Sequence, residues 1–312
     1  MAQTLSFHLA VPVTALVFSG CAAVAVNPGP EREQVSRLVA DRSGRDIQPS
    51  IIAPDAQLLG DRLRALLAGG LTVDEAVEVG LLRNRTLRAL YTDLDVAQSD
   101  LVQASLLHNP VLDAAAGFPI GGGMVDLSFG VAMDVVDLLY VPLRKRIATA
   151  SLEGTKLRVA GEVLDFAWRT QIAFYRHQAD EQAVEMRRQV AASTAASTEL
   201  AERMRAAGNV RALDVASERA MAEEAKLELR LAEIAARESR ERLNALMGLW
   251  GEEAGSWTAA SSRLPDPPEE PIDGDRLESR AIERSLDLAA TERLVVAAGE
   301  ALGLDRASAL FP

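Results

Sequence analysis

Aromatic side chains are scarce: they make up 4% of the 312 residues, although 48% of the chain is hydrophobic. Much of that apolar share is alanine. A packed α/β enzyme core needs more aromatic volume, whereas Ala-rich, charge-rich stretches with few β-branched residues favour long helices. Cysteine occurs once, at Cys21, which excludes an internal disulfide and a Cys-based metal site. The three histidines, His8, His108 and His177, lie far apart. Asp180 and Glu181 could share a helix face with His177, but that falls short of a metal ligand set. No metal and no cofactor is expected. No nucleophile–base pair or phosphate loop is present either, so the chain does not read as an enzyme.

The net charge of −12 excludes a nucleic-acid surface, and also adhesion to anionic lipid by charge alone. No segment offers about 18 uninterrupted apolar residues. If the chain crosses a membrane, it does so in a β-barrel, because only helices and closed barrels satisfy backbone hydrogen bonds in lipid.

The run from Leu9 to Phe18 has the length of a signal-peptide core and ends in Phe18-Ser19-Gly20-Cys21. Bacterial lipoprotein signals close in a similar box, so residues 1–21 are expected to be a leader and Cys21 a lipid-attachment site. Phe18 stands where Leu is usual, and the first ten residues hold no Lys or Arg. An ordinary cleaved leader with an incidental cysteine is the other reading.

Residues 22–70 read as a mixed N-terminal extension with a short Leu-rich helix around Leu63 to Leu67. Thr72-Val73-Asp74-Glu75 is a capping box opening a helix to about Asn84. A second helix, Thr86 to Leu107, stops before Asn109-Pro110. The period then changes. Val125, Leu127, Phe129, Val131, Met133 and Val135 alternate with partners that are mostly polar or small, giving a strand with one apolar and one wet face. With Val111 to Phe118 and the Gly121-Gly122-Gly123 turn it predicts a hairpin within 111–137. A membrane strand and a soluble ribbon packed on helices both fit that pattern.

Helix is predicted again from Pro142 to Ala207, roughly 99 Å at the standard rise. Leu143, Ile147, Ala150, Gly154, Leu157, Gly161, Leu164 and Trp168 keep four-three spacing, and the phase then slips through Ile172, Tyr175, Ala179, Ala183, Met186 and Val190. Gly208-Asn209 breaks the helix, both residues tolerating left-handed geometry, and a return helix runs from Leu213 to Met247. After the Pro-rich connector Leu264 to Pro268, Leu87, Ala89, Ala97 and Leu101 recur as Leu288, Ala290, Ala298 and Leu302 at an offset of 201, an internal duplication.

This order of elements resembles the TolC family of bacterial outer-membrane efflux ducts. The carrying residues are Leu71-Thr72-Val73-Asp74-Glu75-Ala76-Val77 and Leu106-Leu107-His108-Asn109-Pro110-Val111, like the family's L-L-P-N-P-x-L. Ala207-Gly208-Asn209-Val210-Arg211-Ala212-Leu213-Asp214-Val215 and Arg242 to Leu249 complete the set. The lipid-attachment box and the Asn109-Pro110 and Gly208-Asn209 signatures look closest to the metal-cation efflux branch.

The resemblance implies a mostly α protomer, with long antiparallel coiled-coil helices and a membrane β-hairpin. Residues 71–263 would form the first repeat, and 264–312 a linker and the truncated start of a second. It further implies a trimer, a periplasmic adaptor and an inner-membrane pump as partners, and outer-membrane lipid around the strands. Gly208, Asn209, Val210, Arg211, Ala212 and Leu213 would be the adaptor-facing tip. A periplasmic coiled-coil interaction protein and a nonfunctional fragment are the competing readings.

Overall fold

The computed structural model describes residues 27, 29–44, 56–117, 124, 126–133, 135–267, 269 and 274–310. The helices are α1 (Gly29–Ser43), α2 (Ala56–Ala68), α3 (Val73–Arg83) and α4 (Arg85–Ala104), then α5 (Asp137–Ala206), α6 (Ala212–Met247), α7 (Glu252–Ser256), α8 (Leu277–Arg284) and α9 (Leu286–Leu310). Between α4 and α5 lie β1 (Val111–Gly117) and β2 (Asp126–Ala132). The architecture is the expected one: mostly α, built on a long antiparallel helical hairpin, with one β-hairpin among the described residues.

Local chemistry explains the boundaries. Thr72 accepts from the Glu75 N–H at 3.2 Å while the Glu75 carboxylate accepts from the Thr72 N–H at 2.8 Å, so α3 opens on a reciprocal capping box. Asn84 closes α3 and opens α4 at once. Its N–H donates to Gly80 O at 2.8 Å, and its side-chain oxygen accepts from the N–H groups of Thr86 and Leu87. Ser285 stands in the same way between α8 and α9, with nearly the same extended backbone angles, and its hydroxyl accepts from Leu288 N at 3.2 Å. The two helix–cap–helix units are 201 residues apart.

The long helix starts at Asp137, not Pro142. The Asp137 carboxylate is held in place by groups on the preceding link and on α5, which stitches down an extra turn. Pro142 is tolerated because it forfeits only one early helical bond. Its 70 residues give a rod of roughly 105 Å, and α4 and α6 end to end reach roughly 84 Å.

The seam of α5 also differs from its sequence pattern. Trp168 is 64% exposed, and Ile172 and Met186 are exposed too. Residues buried instead include Leu152, Val159, Val163, Phe166, Thr170, Phe174 and His177. The four-three pattern marks a neighbouring face, the one that meets α9. There a Cβ on Gly154 would lie 3.4 Å from Arg293 Cβ, and one on Gly161 would lie 3.6 Å from Asp287. Past the start of α9 that face has no described partner, so its large residues stay exposed.

Two apolar clusters form the thick part of the molecule. One joins Val35 and Val39 of α1, Leu87, Tyr91 and Leu94 of α4, and Val159, Val163 and Phe166 of α5. The other gathers Leu63 and Leu67 of α2, Val79 of α3, Phe174 of α5, Leu243 and Met247 of α6, and Trp257. Helix α1 is hard to see in sequence because it is polar almost throughout. It is held by two valines and by Lys156, whose buried ammonium donates to Gln34 and Glu153 at 2.7 Å and pairs with Glu31.

Candidate functional site: the exposed hairpin and the helical tip

Strands β1 and β2 pair antiparallel from Val111↔Ala132 to Gly117↔Asp126. Directly opposed residues share a face. One face therefore carries Leu112, Ala114 and Ala116 beside Val131, Phe129 and Leu127. The other carries Val111, Asp113, Ala115 and Gly117 beside Ala132, Gly130, Ser128 and Asp126. Every residue of both strands is exposed, Phe129 by 80%. An apolar face this open, on a two-stranded sheet too small to be stable alone in water, calls for another phase or more strands.

Of the six residues expected to line the apolar face, Leu127, Phe129 and Val131 lie in β2. Val125 lies outside the described residues, as does Cys21. Met133 follows the strand end, and Val135 belongs to the turn into α5, where its carbonyl accepts from Leu138 N at 3.3 Å. The described strand β2 spans seven residues.

A polar knot fastens both ends of the hairpin. Asp137, only 5% exposed, binds Arg144 Nη1 at 2.7 Å and His108 Nδ1 at 2.9 Å, and accepts from the His108 N–H at 3.1 Å. Arg144 also donates to Leu106 O at 3.3 Å. The Arg144 guanidinium and the two His108 contacts satisfy the buried Asp137 carboxylate with charge-assisted hydrogen bonds. The link before β1 and the helix after β2 are thus tied at one buried carboxylate. The sequence showed these residues without their pairing, since 29 positions separate His108 from Asp137.

At the far end, α5 closes in a Schellman motif. Asn209 N donates to Met204 O and Gly208 N to Arg205 O, both at 2.9 Å. Gly208 takes the left-handed conformation at φ 81°, and Asn209 does not. Arg211 precedes α6, and the Asp214 carboxylate accepts from both its N–H (3.0 Å) and its guanidinium (2.9 Å). These bonds lower the Asp214 pKa. Gly208, Asn209, Arg211, Ala212 and Leu213 are exposed and Val210 is half-buried, so the turn presents a compact, rigid tip.

Between the two ends, His177 is 3% exposed and lies against Ser239 Oγ at 3.3 Å and edge-on to Trp257 at 5.5 Å. Trp257 donates to Asn244 at 2.7 Å, and Arg240 sits 4.2 Å over its ring. His177 is a core residue. Among the described residues no group of His, Cys, Asp and Glu could hold a metal ion, and no helix is long and apolar enough to cross a membrane.

As a sequence, the chain matches no protein-family model and no curated protein. As a structure it has clear neighbours. It covers 75% of its length on a membrane protein from Pseudomonas aeruginosa, with a TM-score of 0.63 and 20% identity, and 57% of that chain. The Campylobacter jejuni CmeC outer membrane channel gives 0.62 and 12% over 75% of this chain and 52% of its own. The outer membrane protein VceC from Vibrio cholerae gives 0.59 and 19% over 75% and 58%. Over this span the chain shares the fold of outer-membrane channel proteins.

This is the TolC-type architecture that the sequence motifs pointed to, over a span of little more than half of each neighbour's length. The neighbours are channel and membrane proteins.

Proposed function

We propose that the chain is a duct component of a tripartite efflux system in the outer membrane, passing small solutes or metal cations out of the periplasm. The observation that carries this reading is the hairpin. It has one wholly apolar face, one face that carries Asp113, Asp126 and Ser128, and, among the described residues, two free edges and no cover. Joined edge to edge with hairpins of other repeats, such ribbons close a barrel whose apolar faces meet lipid and whose polar faces line water. Residues 111–137 would be the membrane portion and 142–247 the periplasmic arm, ending at an adaptor-contacting tip, Gly208 to Leu213. The matching Asn84 and Ser285 caps support a duplicated protomer whose second repeat starts within 264–312. Trimer assembly follows from the same reading.

The N-terminal strap supports Cys21 as a lipid anchor. Asn27 accepts from Gln98 at 2.9 Å, near the end of α4 that leads to the hairpin. The chain from Cys21 to Asn27 can reach about 20 Å farther when extended, which suits an acyl chain in the adjacent leaflet. Fatty-acid labelling that marks the wild type and spares Cys21→Ser tests this.

The membrane reading is tested by paired variants. Phe129→Arg on the apolar face should cost about 2–4 kcal/mol and reduce outer-membrane recovery, whereas Ser128→Arg on the polar face should be much milder. Equal recovery of the two would leave a soluble ribbon.

A further inference from the structure

In a chain of net charge −12, one hollow is lined by cations. It lies where the α3–α4 cap meets the end of α6 and has a volume of about 590 Å³. Arg83, Arg85 and Arg88 line it beside Trp250, and no Asp or Glu stands among the described lining residues. Arg83 is neutralised from outside the hollow by Glu253 at 2.7 Å. Arg85 and Arg88 are exposed, with no carboxylate in ion-pair range among the described residues. The Trp250 ring is 71% exposed.

Helix stability does not explain these arginines. Arg85 and Arg88 lie in the first turn of α4, the positive end of its dipole, where a cation is unfavourable. Service to the C-terminus of α6 does not explain them either. Asn84 Nδ2 donates to the Leu246 carbonyl at 3.0 Å, and Gly248 and Leu249 N–H groups take the Ala245 and Asn244 carbonyls. The first N–H groups of α4 are likewise used, by Asn84. Two free guanidinium forks and an indole face therefore meet at one mouth. That combination pairs bidentate oxyanion recognition with a flat apolar platform.

We propose that this hollow binds a small oxyanion, phosphate or carboxylate, carried on a ring that lies against Trp250. Arg85 and Arg88 hold the anion, and Arg83, fixed by Glu253, sets the inner wall. The site is independent of the duct reading, since it lies away from both the hairpin and the tip.

The test is a titration of the full chain, followed by tryptophan fluorescence and calorimetry, with glucose 6-phosphate, glucuronate and glucose as probes. Saturable binding of one or both anionic sugars is expected, with glucose at least tenfold weaker. The tighter of the two identifies the anion. Arg85→Gln/Arg88→Gln should weaken binding tenfold or more with an unchanged circular dichroism spectrum. Trp250→Phe should keep calorimetric binding while losing the fluorescence change. Arg203→Gln, in the distal arm, should bind as the wild type does. Absence of saturable binding, or equal binding by the double arginine variant and the wild type, overturns the proposal. So does glucose binding as tightly as the charged sugars.

Discussion

The two halves of α5 are the same helix held in different ways. From about Ala150 to Gln178 it lies inside a bundle, with α1, α3, α4, α6 and α9 around it and Leu152, Val159, Val163, Phe166 and Phe174 sealed from water, although Trp168 and Ile172 stay exposed. From there to Ala206 its main described partner is α6, and the few residues buried along the arm are small or short, Val184 on α5 and Val215, Ala222 and Ala225 on α6. Leu200, Leu227, Leu231 and Ile234 face solvent. Ion pairs across the arm, Arg187 with Glu228 and Arg219 with Glu202, are exposed and contribute little on their own. The first half is a core; the second is a spacer with large apolar side chains left exposed.

The sharpest way to test that contrast is to delete large side chains from each half. Phe166→Ala in the thick part should cost about 3–5 kcal/mol, because it leaves a cavity between α3 and α5. Leu227→Ala in the arm should stay within about 0.5 kcal/mol for the isolated chain. Chemical denaturation of both variants checks this, and comparable losses would mean that the arm is not a spacer.

A smaller effect probes how tightly the thick part is packed. Gly80 lies under the Phe166 ring, and a Cβ there would come within 2.5 Å of its Cζ. Gly80→Ala should therefore destabilise by about 1–3 kcal/mol through overpacking. Phe166→Leu in the same background should recover part of the loss, which a purely conformational effect would not allow. At the tip, Gly208→Ala meets open space but a left-handed backbone, so about 1–2 kcal/mol should be lost as strain alone. Thermal melts should show no rescue of it by any neighbouring substitution.

The same contrast decides what was legible in the sequence. Elements fixed by neighbours along the chain were readable: the Thr72–Glu75 box, the Gly208 turn, the alternation through Leu127, Phe129 and Val131. Elements fixed by partners far away in the chain were not. Helix α1 depends on Lys156 and Asp95, the start of α5 on His108, and the buried face of α5 on which helices arrive beside it. The four-three pattern was real but marked the side shared with α9. The arginine hollow was invisible for the same reason, since Arg85 and Trp250 meet only after α6 has returned.

The smallest expected effect is a slope with pH, and it arises where the thick part ends. His177 is buried between Ser239, Trp257 and Arg240, with Asp180 and Glu181 one turn on. Burial lowers its pKa most; Glu181 opposes this, Arg240 reinforces it, and the net shift is downward from 6.5. The unfolded chain therefore takes up the proton before the folded one does. Stability is fully present above pH 6.5 and declines as pH falls from there toward the lowered folded value. Between pH 7 and pH 5 the melting temperature of the wild type should drop further than that of His177→Gln, which cannot titrate and can still bond to Ser239. Equal drops would mean that His177 protonates without cost, and that the junction between core and spacer is looser than its packing implies.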